Sequence, residues 1–278
     1  MLFVILSYKM ENFYIFIIFS LKNYFGIIYT EVIMQDIKKF TNCNTDSAFI
    51  KIVALIFMII DHMGATIYPE INELRVLGRI SFPLFAWGIV LGASYTKNIW
   101  IYILRVLSLA FISQPIYNYV LGHYWNNLNI LFTLSLALLG IAGMQTKNYI
   151  TRLLIPIIAL AITSYINVDY GTAGVLFVML LYLAKDSKAS VLAFFITFTM
   201  YWGITSFSMQ SLFGININYA NRFVQIISPW LSMQGLAILA LPFILINTNS
   251  GIKINKWISY SLYPAHLFLI ALLQYILK

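Results

Sequence analysis

Residues 51–68, KIVALIFMIIDHMGATIY, form a long apolar run that carries Asp61 and His62 side by side. The run is about as long as a helix must be to cross the hydrocarbon core of a membrane. An ionisable acid at that depth costs roughly 2.5 kcal/mol or more. Such side chains are seldom retained for packing alone, so the pair is the first candidate for chemistry.

Similar runs recur to the end of the chain, and the composition is typical of a membrane protein. Hydrophobic residues make up 61% of the 278 residues and charged residues only 9%, whereas a soluble domain carries about 25% charged residues. Only helices and closed barrels satisfy backbone groups in hydrocarbon, and these runs lack the alternation of barrel strands. We therefore expect an all-α fold, a polytopic transmembrane helical bundle in one domain over residues 50–278.

The apolar runs predict about nine spans. They cover residues 50–68, 76–95, 99–121, 128–145, 150–166, 172–184, 189–207, 228–247 and 257–277. If the residues before 50 are cytoplasmic, most basic residues fall on cytoplasmic ends, as positive-inside sorting requires. These are Lys38, Lys39, Lys51, Lys97, Lys147, Arg152, Lys185, Lys188, Lys253 and Lys256, whereas Arg75, Arg222 and Lys278 fall on the opposite face.

Residues 1–49 are predicted to be an extension before this domain. Residues 1–33 are apolar and aromatic but are interrupted by Lys22 and Asn23. Three interpretations remain open: a further span, an uncleaved signal anchor, or sequence upstream of the true start. Met34 opens a polar segment directly before the first strong span, which favours Met34 as the start.

Charge and motif content argue against several classes of protein. The formal net charge is +8, but the basic residues are scattered singly through short loops, so we expect no nucleic-acid partner. The single cysteine, Cys43, excludes an internal disulfide and a cysteine-based zinc cluster, and we expect no metal. Glycine-rich phosphate loops, HExxH and GxSxG patterns are missing from the sequence.

Lys51 and His62 are predicted to share one face of the first helix. They are eleven residues apart, which is about 20° from three full turns and ~16 Å along the axis. Lys51 would then lie at the cytoplasmic mouth, where a cation can hold a phosphate, below an imidazole that can take a proton. The alternative is that Lys51 only extends toward the headgroups as a flanking cation.

Asp61 is expected to have an arginine partner. Adjacent helix residues diverge by ~100°, so Asp61 and His62 cannot both face one small pocket. Asp61 should pair with an arginine of a neighbouring helix, or orient the His62 ring through backbone or water. Arg79 and Arg105 lie within the second and third spans and need an anion there, either Asp61 or a substrate phosphate or carboxylate. Purely structural hydrogen bonds between helices remain the alternative for these groups.

For several further polar residues, the sequence allows either a functional or a purely structural role. His266 follows Pro264, which removes a backbone hydrogen bond and can expose carbonyls beside the histidine, so His266 is either functional or a core residue satisfied by such a carbonyl. Asp169 lies at a loop edge, where capping the next helix competes with catalysis. Asn129 and Thr133 lie one turn apart and either join helices or line a pocket.

Six blocks of this chain resemble successive blocks of the TraX family. They are KIVALIFMIIDHMGATIYPE, LGRISFPLFAWGIVLGASYTKN, YILRVLSLAFISQPIY, LNILFTLSLALLG, DYGTAGVLFVMLLYL and SYSLYPAHLFLI. The resemblance runs in order from Lys51 to His266 and is loose over residues 189–250. The founding member of the family acetylates the amino terminus of F-type conjugative pilin with acetyl-CoA. The resemblance thus implies a multi-pass acetyltransferase of the bacterial inner membrane, acting on pilin or another envelope component.

The TraX family is also similar to membrane acyltransferases with an Arg-x10-His motif on the first span. Lys51 and His62 have that spacing, with lysine in place of arginine, which keeps the charge and loses bidentate phosphate recognition. The residues that fall on motif positions by this resemblance are Asp61, His62, Arg79, Arg105, Asn129, Asp169, Tyr263 and His266.

The mechanism that we expect from this resemblance starts with acetyl-CoA entering from the cytoplasm. Lys51 and Arg105 would hold its phosphates, while the pantetheine arm reaches His62. His62 would act as general base or as a transient acyl carrier. Asp61 would set the tautomer of His62.

Other motif residues have expected roles as well. His266 or Arg79 would stabilise the oxyanion, and Asn129, Asp169 and Tyr263 would contact substrate. A secondary transporter with an Asp/His/Arg relay is the main alternative, although no internal repeat is evident in the sequence. A third reading is a non-catalytic membrane chaperone for pilus assembly.

Overall fold

The computed structural model describes residues 43–277. The predictions for residues 1–42, including the extension and the start at Met34, lie outside the described residues. In the described part, short connections between helices make sequence neighbours run antiparallel. We call the end at which the helix from Ser47 begins the near end, and the opposite one the far end.

The described chain is a bundle of helices, which confirms the all-α prediction. Its α-helices are α1 (Ser47–Thr66), α2 (Asn72–Gly78), α3 (Ser81–Tyr95), α4 (Ile99–Leu121), α5 (Ile130–Met144), α6 (Tyr149–Ile162), α7 (Gly171–Ala184), α8 (Lys188–Ile204), α9 (Arg222–Ile227), α10 (Leu241–Leu245) and α11 (Lys256–Leu277). Two short 3-10 helices, Ser228–Leu231 and Gly235–Ala240, precede α10. Strands β1 (Asn127–Leu128) and β2 (Asn167–Val168) pair in parallel, and β3 (Ser211–Leu212) and β4 (Ile215–Asn216) pair antiparallel.

Helix length and composition are those of a membrane protein. Within residues 43–277, four helical segments are long and apolar enough to cross a membrane: Ser47–Thr66, Asn72–Tyr95, Ile99–Leu121 and Ile258–Leu277. Shorter apolar helices cover Ile130–Met144, Tyr149–Ile162, Gly171–Ala184, Lys188–Ile204 and Gly235–Leu245. Helix length therefore supports four of the nine predicted spans, and the number nine is not established by it.

The predicted span 228–247 is not one continuous helix, and the structure corrects this prediction. Pro229 lies in the first turn of the first 3-10 helix, and Ser232 is extended. Gly235 packs so closely on the Pro229 carbonyl that a side chain at that position would overlap it. Pro242 lies in the first turn of α10. Because proline interrupts helix hydrogen bonding and glycine permits this close approach, the segment winds as short pieces against α8.

Aromatic side chains fill the core between α3, α7 and α8. Phe177 stacks on Trp202 with ring centroids 5.4 Å apart. Phe82 lies 5.4 Å from Phe177 and stacks on Tyr170 at 4.3 Å. Such pairs stabilise a core beyond the area that they bury. Through Tyr170, this core reaches the loop that precedes α7.

Asn44 ties the segment before α1 to the bundle. Its side-chain nitrogen donates to the carbonyl of Phe243 at 3.0 Å and to the hydroxyl of Thr248 at 2.9 Å. Its backbone carbonyl accepts from the indole N–H of Trp87 at 2.7 Å. The residue is fully buried. These contacts link the start of α1 to α3 and to the chain that leads into α11.

Replacing Asn44 with alanine should therefore destabilise the protein. The variant leaves the Phe243 carbonyl and the Thr248 hydroxyl without this partner, at a cost of about 1–3 kcal/mol. The measurement is the thermal unfolding midpoint of purified protein in detergent, with Thr45→Ala at the exposed neighbouring position as the control. Equal midpoints for the two variants would contradict this account of the near end.

Candidate active site

The carboxylate of Asp61 binds two arginines. The sequence had predicted one arginine partner from a neighbouring helix. Oδ2 of Asp61 accepts from Nη1 of Arg75 and its Oδ1 from Nη2 of Arg79, both at 2.5 Å. Nε of Arg79 also donates to the backbone carbonyl of Arg75 at 3.1 Å. The side chains of Asp61 and Arg79 are only 13% and 7% exposed. The ion pairs join α1 to the short helix α2 and to its C-cap residue Arg79, just before α3.

Local sequence explains how two arginines reach one carboxylate. Arg75 and Arg79 are four residues apart, so their side chains leave the same face of a helical turn. Gly78 lies against Asp61, and a Cβ at that position would overlap the carboxylate. Arg75 was predicted only as a flanking charge. Because Arg75 lies one helical turn before Arg79, the sequence could have indicated it as a second partner of Asp61.

His62 and His266 meet between α1 and α11, although 204 residues separate them. Nδ1 of His62 lies 3.2 Å from Nε2 of His266, and the two rings stack with centroids 5.2 Å apart. His266 is buried, and His62 is partly buried. Both histidines were predicted as site residues, and the structure brings them together.

The contacts of His266 fix the tautomers of a neutral pair. Nδ1 of His266 lies 3.3 Å from the backbone carbonyl of Leu262. A carbonyl only accepts hydrogen bonds, so this contact requires a proton on that Nδ1. Nε2 of a neutral His266 must then accept from Nδ1–H of His62. Nε2 of His62 is left as the nitrogen with a lone pair.

The structure corrects the prediction that Asp61 sets the tautomer of His62. Asp61 was expected to orient the ring of His62, but its two oxygens bind Arg75 and Arg79. The ring contact of His62 is made by His266 instead. Among these residues, the orienting group is thus an imidazole and not a carboxylate.

A cavity of about 230 Å³ leads from the near end toward the histidine pair. Lys51 and Leu55 of α1 line it, as does Tyr263 of α11, and most other wall residues are apolar. His62 lies seven residues after Leu55, about 20° from two full turns, and so continues the same face of α1. His266 lies one turn after Tyr263. Neither histidine lines the cavity, but the ring of His266 packs against that of the wall residue Tyr263, so the histidine pair lies just beyond the cavity.

Arg105 lines a second cavity of about 350 Å³, together with Ser108 of α4 and Tyr260 of α11. Leu109 and Tyr260 line both cavities. Arg105 is exposed on the surface of the bundle. Lys51 and Arg105 therefore lie in neighbouring cavities and not in the same one.

Asn129 joins helices. It is fully buried, and its side-chain nitrogen donates to the carbonyl of Ala110 at 2.9 Å and to the Gln114 side chain at 2.8 Å. Its side-chain oxygen accepts from the backbone N–H of Leu131 at 3.0 Å and caps α5. These contacts use both ends of the amide to hold α4 against the start of α5. They favour the helix-joining alternative over direct substrate contact.

The loop around Asp169 is strained. Asp169 does not cap α7, as one alternative proposed, because Tyr170 is the N-cap residue and no side chain caps that helix. Tyr170 has φ 60°, a left-handed conformation that non-glycine residues rarely adopt. The loop is held by the hydroxyl of Thr133, which donates to the Asp169 carbonyl at 2.5 Å. Strain of this kind is frequent at functional sites.

The carboxyl of Asp169 lies close enough to Arg75 and Arg79 to interact with their charges. Burial raises the pKa of this loop carboxyl from 3.8 to about 6, while the nearby charges of Arg79 and Arg75 act to lower it. The carboxyl is therefore more easily protonated in the folded protein than in the unfolded chain. A group of this kind stabilises the fold below pH 3.8, and that stabilisation is lost as the pH rises through about 6.

The thermal midpoint of Asp169→Asn should accordingly rise relative to that of the wild type between pH 4 and pH 7, because the stabilising contribution of the protonated acid is lost over this range. The asparagine stays neutral across this range, as the protonated acid does at the lower pH. Asp186→Asn, at a surface position, is the control and should keep the wild-type pH dependence. If Asp169→Asn retains the full dependence, Asp169 is not the group responsible.

Asp61→Asn should destabilise the fold by roughly 3 kcal/mol, because it leaves a buried guanidinium without its counter-charge. Arg79 supplies most of this effect, since Arg75 is 31% exposed and partly screened by solvent. Thermal unfolding in detergent measures the change, with Glu70→Gln at an exposed position as the control. A midpoint equal to that of the control would show that the ion pairs contribute little.

Comparison with known proteins agrees with the resemblance seen in the sequence. The relative named "Probable fimbrial assembly protein FimC, serogroup H1", from Dichelobacter nodosus, is 27% identical over 164 residues, covering 53% of this chain and 67% of that protein. An uncharacterized protein of Rickettsia prowazekii is 28% identical over 237 residues, covering 82% and 90%. Protein TraX of Escherichia coli is 32% identical over 144 residues, covering 49% and 56%.

No solved structure matches the chain. The sequence model described as TraX protein matches residues 46–274, which is most of the chain and contains every site residue described above. The chain belongs to the TraX family.

Proposed function

We propose that this protein is an integral membrane acetyltransferase that moves an acetyl group from cytoplasmic acetyl-CoA to an acceptor at the outer face of the bacterial inner membrane. The observation that carries the proposal is the paired His62 and His266 beyond the end of a cavity that Lys51 also lines. A cation at one end and a hydrogen-bonded imidazole at the other suit a phosphate-bearing acyl donor.

The proposed topology has nine crossings, with the near end in the cytoplasm. Four long and five shorter apolar helical segments follow one another in the described chain. The excess of lysine and arginine on the near side supports this orientation. The histidine pair then lies in the outer half of the membrane, since His62 is four residues from the end of α1.

Acetyl-CoA is the proposed donor, and Lys51 is the proposed phosphate contact. Lys51 is partly buried at the near end of the 230 Å³ cavity, whose mostly apolar walls suit a narrow chain such as the pantetheine arm. Arg105 would contact another phosphate from the adjoining cavity. The thioester would then reach the inner end of the cavity, next to the histidine pair.

His62 is the proposed general base, and His266 is the group that positions it. The tautomers set by the Leu262 carbonyl leave Nε2 of His62 able to accept a proton from an attacking amine or hydroxyl. His266 would also stabilise the imidazolium that forms. Asp61 acts more indirectly, since its ion pairs fix the rotation of α1.

Pilin, or another envelope component, is the proposed acceptor. One relative supports it by name, as a probable fimbrial assembly protein. The far end of the bundle, where α1, α4 and α11 finish, is the side from which such a protein would approach. A transporter with a proton relay through Asp61 is less well supported, because the carboxylate is already held by two arginines.

His62→Ala should abolish acetyl transfer without loss of the fold, because the proton acceptor is removed and the ion pairs of Asp61 are kept. Purified protein in nanodiscs is incubated with acetyl-CoA and a peptide that carries the free pilin amino terminus, and mass spectrometry follows the product. His123→Ala, at an exposed loop position, is the matched control and should retain activity. Wild-type rates in the His62→Ala variant would rule out the general-base role.

A further inference from the structure

The proposed reaction generates a negative charge that needs a hydrogen-bond donor. When the acceptor attacks the thioester, the carbonyl oxygen becomes an oxyanion, and donors aimed at that oxygen are among the largest contributions to catalysis. Arg79 and His266 were the expected donors. Arg79 instead donates to the Asp61 carboxylate and to the carbonyl of Arg75, and His266 contacts His62 and the carbonyl of Leu262. A neutral His266 therefore has no donor left, and Arg79 does not line the cavity.

Tyr263 has a free donor at the right place. Its side chain is only 6% exposed, and its hydroxyl has no hydrogen-bond partner among the described residues. A buried polar group without a partner costs about 1–3 kcal/mol, so most such groups are satisfied. Because Tyr263 also lines the cavity that Lys51 lines, a ligand in that cavity could supply the missing acceptor.

The position of Tyr263 along the cavity fits this role. Lys51 lies ~16 Å below His62 along α1, and Tyr263 lies ~4.5 Å below His266 along the parallel helix α11. The cavity therefore extends roughly 12 Å from the level of Lys51 to that of Tyr263. The rings of Tyr263 and His266 have centroids 5.1 Å apart. The phenol thus lies between the cavity and the histidine pair.

We propose that the Tyr263 hydroxyl donates a hydrogen bond to the thioester carbonyl oxygen of the acyl donor and is a catalytic residue. This inference rests on the proposed acetyl transfer. The acceptor nitrogen bonds to the carbonyl carbon, the C=O π electrons move to the oxygen that Tyr263 contacts, and the nitrogen's proton passes to Nε2 of His62. The carbonyl then re-forms, the C–S bond breaks, and the CoA thiolate takes the proton from His62. The products are the acetylated amine and CoA thiol.

Tyr263→Phe separates this role from a packing role. The variant keeps the ring and loses only a hydroxyl that has no partner among the described residues, so its thermal midpoint in detergent should equal or exceed that of the wild type. With acetyl-CoA and an amino-terminal peptide, kcat should fall roughly 100-fold, while KM for acetyl-CoA changes little. Tyr165→Phe, at an exposed loop position, is the matched control.

Infrared spectroscopy reports the hydrogen bond itself. Acetyl-CoA labelled with ¹³C at the thioester carbonyl is bound to the protein in the absence of acceptor. The carbonyl stretch should move to lower frequency on binding to the wild type and to Tyr165→Phe, and should return to its free position in Tyr263→Phe.

The outcomes distinguish this inference from the proposed function. If the wild type binds acetyl-CoA and acetylates the peptide, but Tyr263→Phe keeps the band shift and kcat, the role of Tyr263 is overturned and the acetyltransferase stands. If the wild type neither binds acetyl-CoA nor shifts the band, both are overturned. A lost band shift and lowered kcat with an unchanged midpoint support the inference.

Discussion

The ion pairs of Asp61 with Arg75 and Arg79 are the constraint on which the site depends. A carboxylate at this depth is tolerated only with compensating charge, and two guanidinium groups supply it. Since neighbouring helix residues point ~100° apart, holding Asp61 toward α2 turns His62 in another direction, toward α11. There it meets His266. The same orientation of α1 about its axis therefore allows both the ion pairs of Asp61 and the contact between His62 and His266.

The second constraint is the parallel packing of α1 and α11. Each helix contributes side chains to the 230 Å³ cavity near its start and a histidine further along. α11 continues through Pro264 without a break. The Leu262 carbonyl, near that proline, accepts a hydrogen bond from Nδ1 of His266. Along these two helices the polar groups follow in order: the cation Lys51, then the Tyr263 phenol, which has no hydrogen-bond partner within residues 43–277, then the two imidazoles. This order matches a donor with a phosphate at one end and a reactive carbonyl at the other.

Sequence periodicity predicted what lies along a single helix, and it missed what depends on packing between helices. The eleven-residue spacing placed Lys51 and His62 on one face, and the apolar runs located the long helices. The contact between His62 and His266 joins distant segments whose packing no local pattern encodes. The break at Pro229 and Gly235 had a local signal, but the apolar composition of residues 228–247 outweighed it. That the Tyr263 hydroxyl lacks a hydrogen-bond partner in the described part of the chain depends on the packing of several helices, which no local sequence pattern gives.

The central claim is that the cavity beside Lys51 receives acetyl-CoA and leads it to the histidines. Cysteine protection tests this most directly, with Leu55→Cys on the cavity wall introduced into a Cys43→Ala background. A thiol reagent is supplied from the cytoplasmic side with and without acetyl-CoA, and Tyr165→Cys serves as the far-side control. The account predicts that acetyl-CoA slows labelling at position 55 in a saturable way. Equal labelling rates at position 55 with and without acetyl-CoA would contradict it.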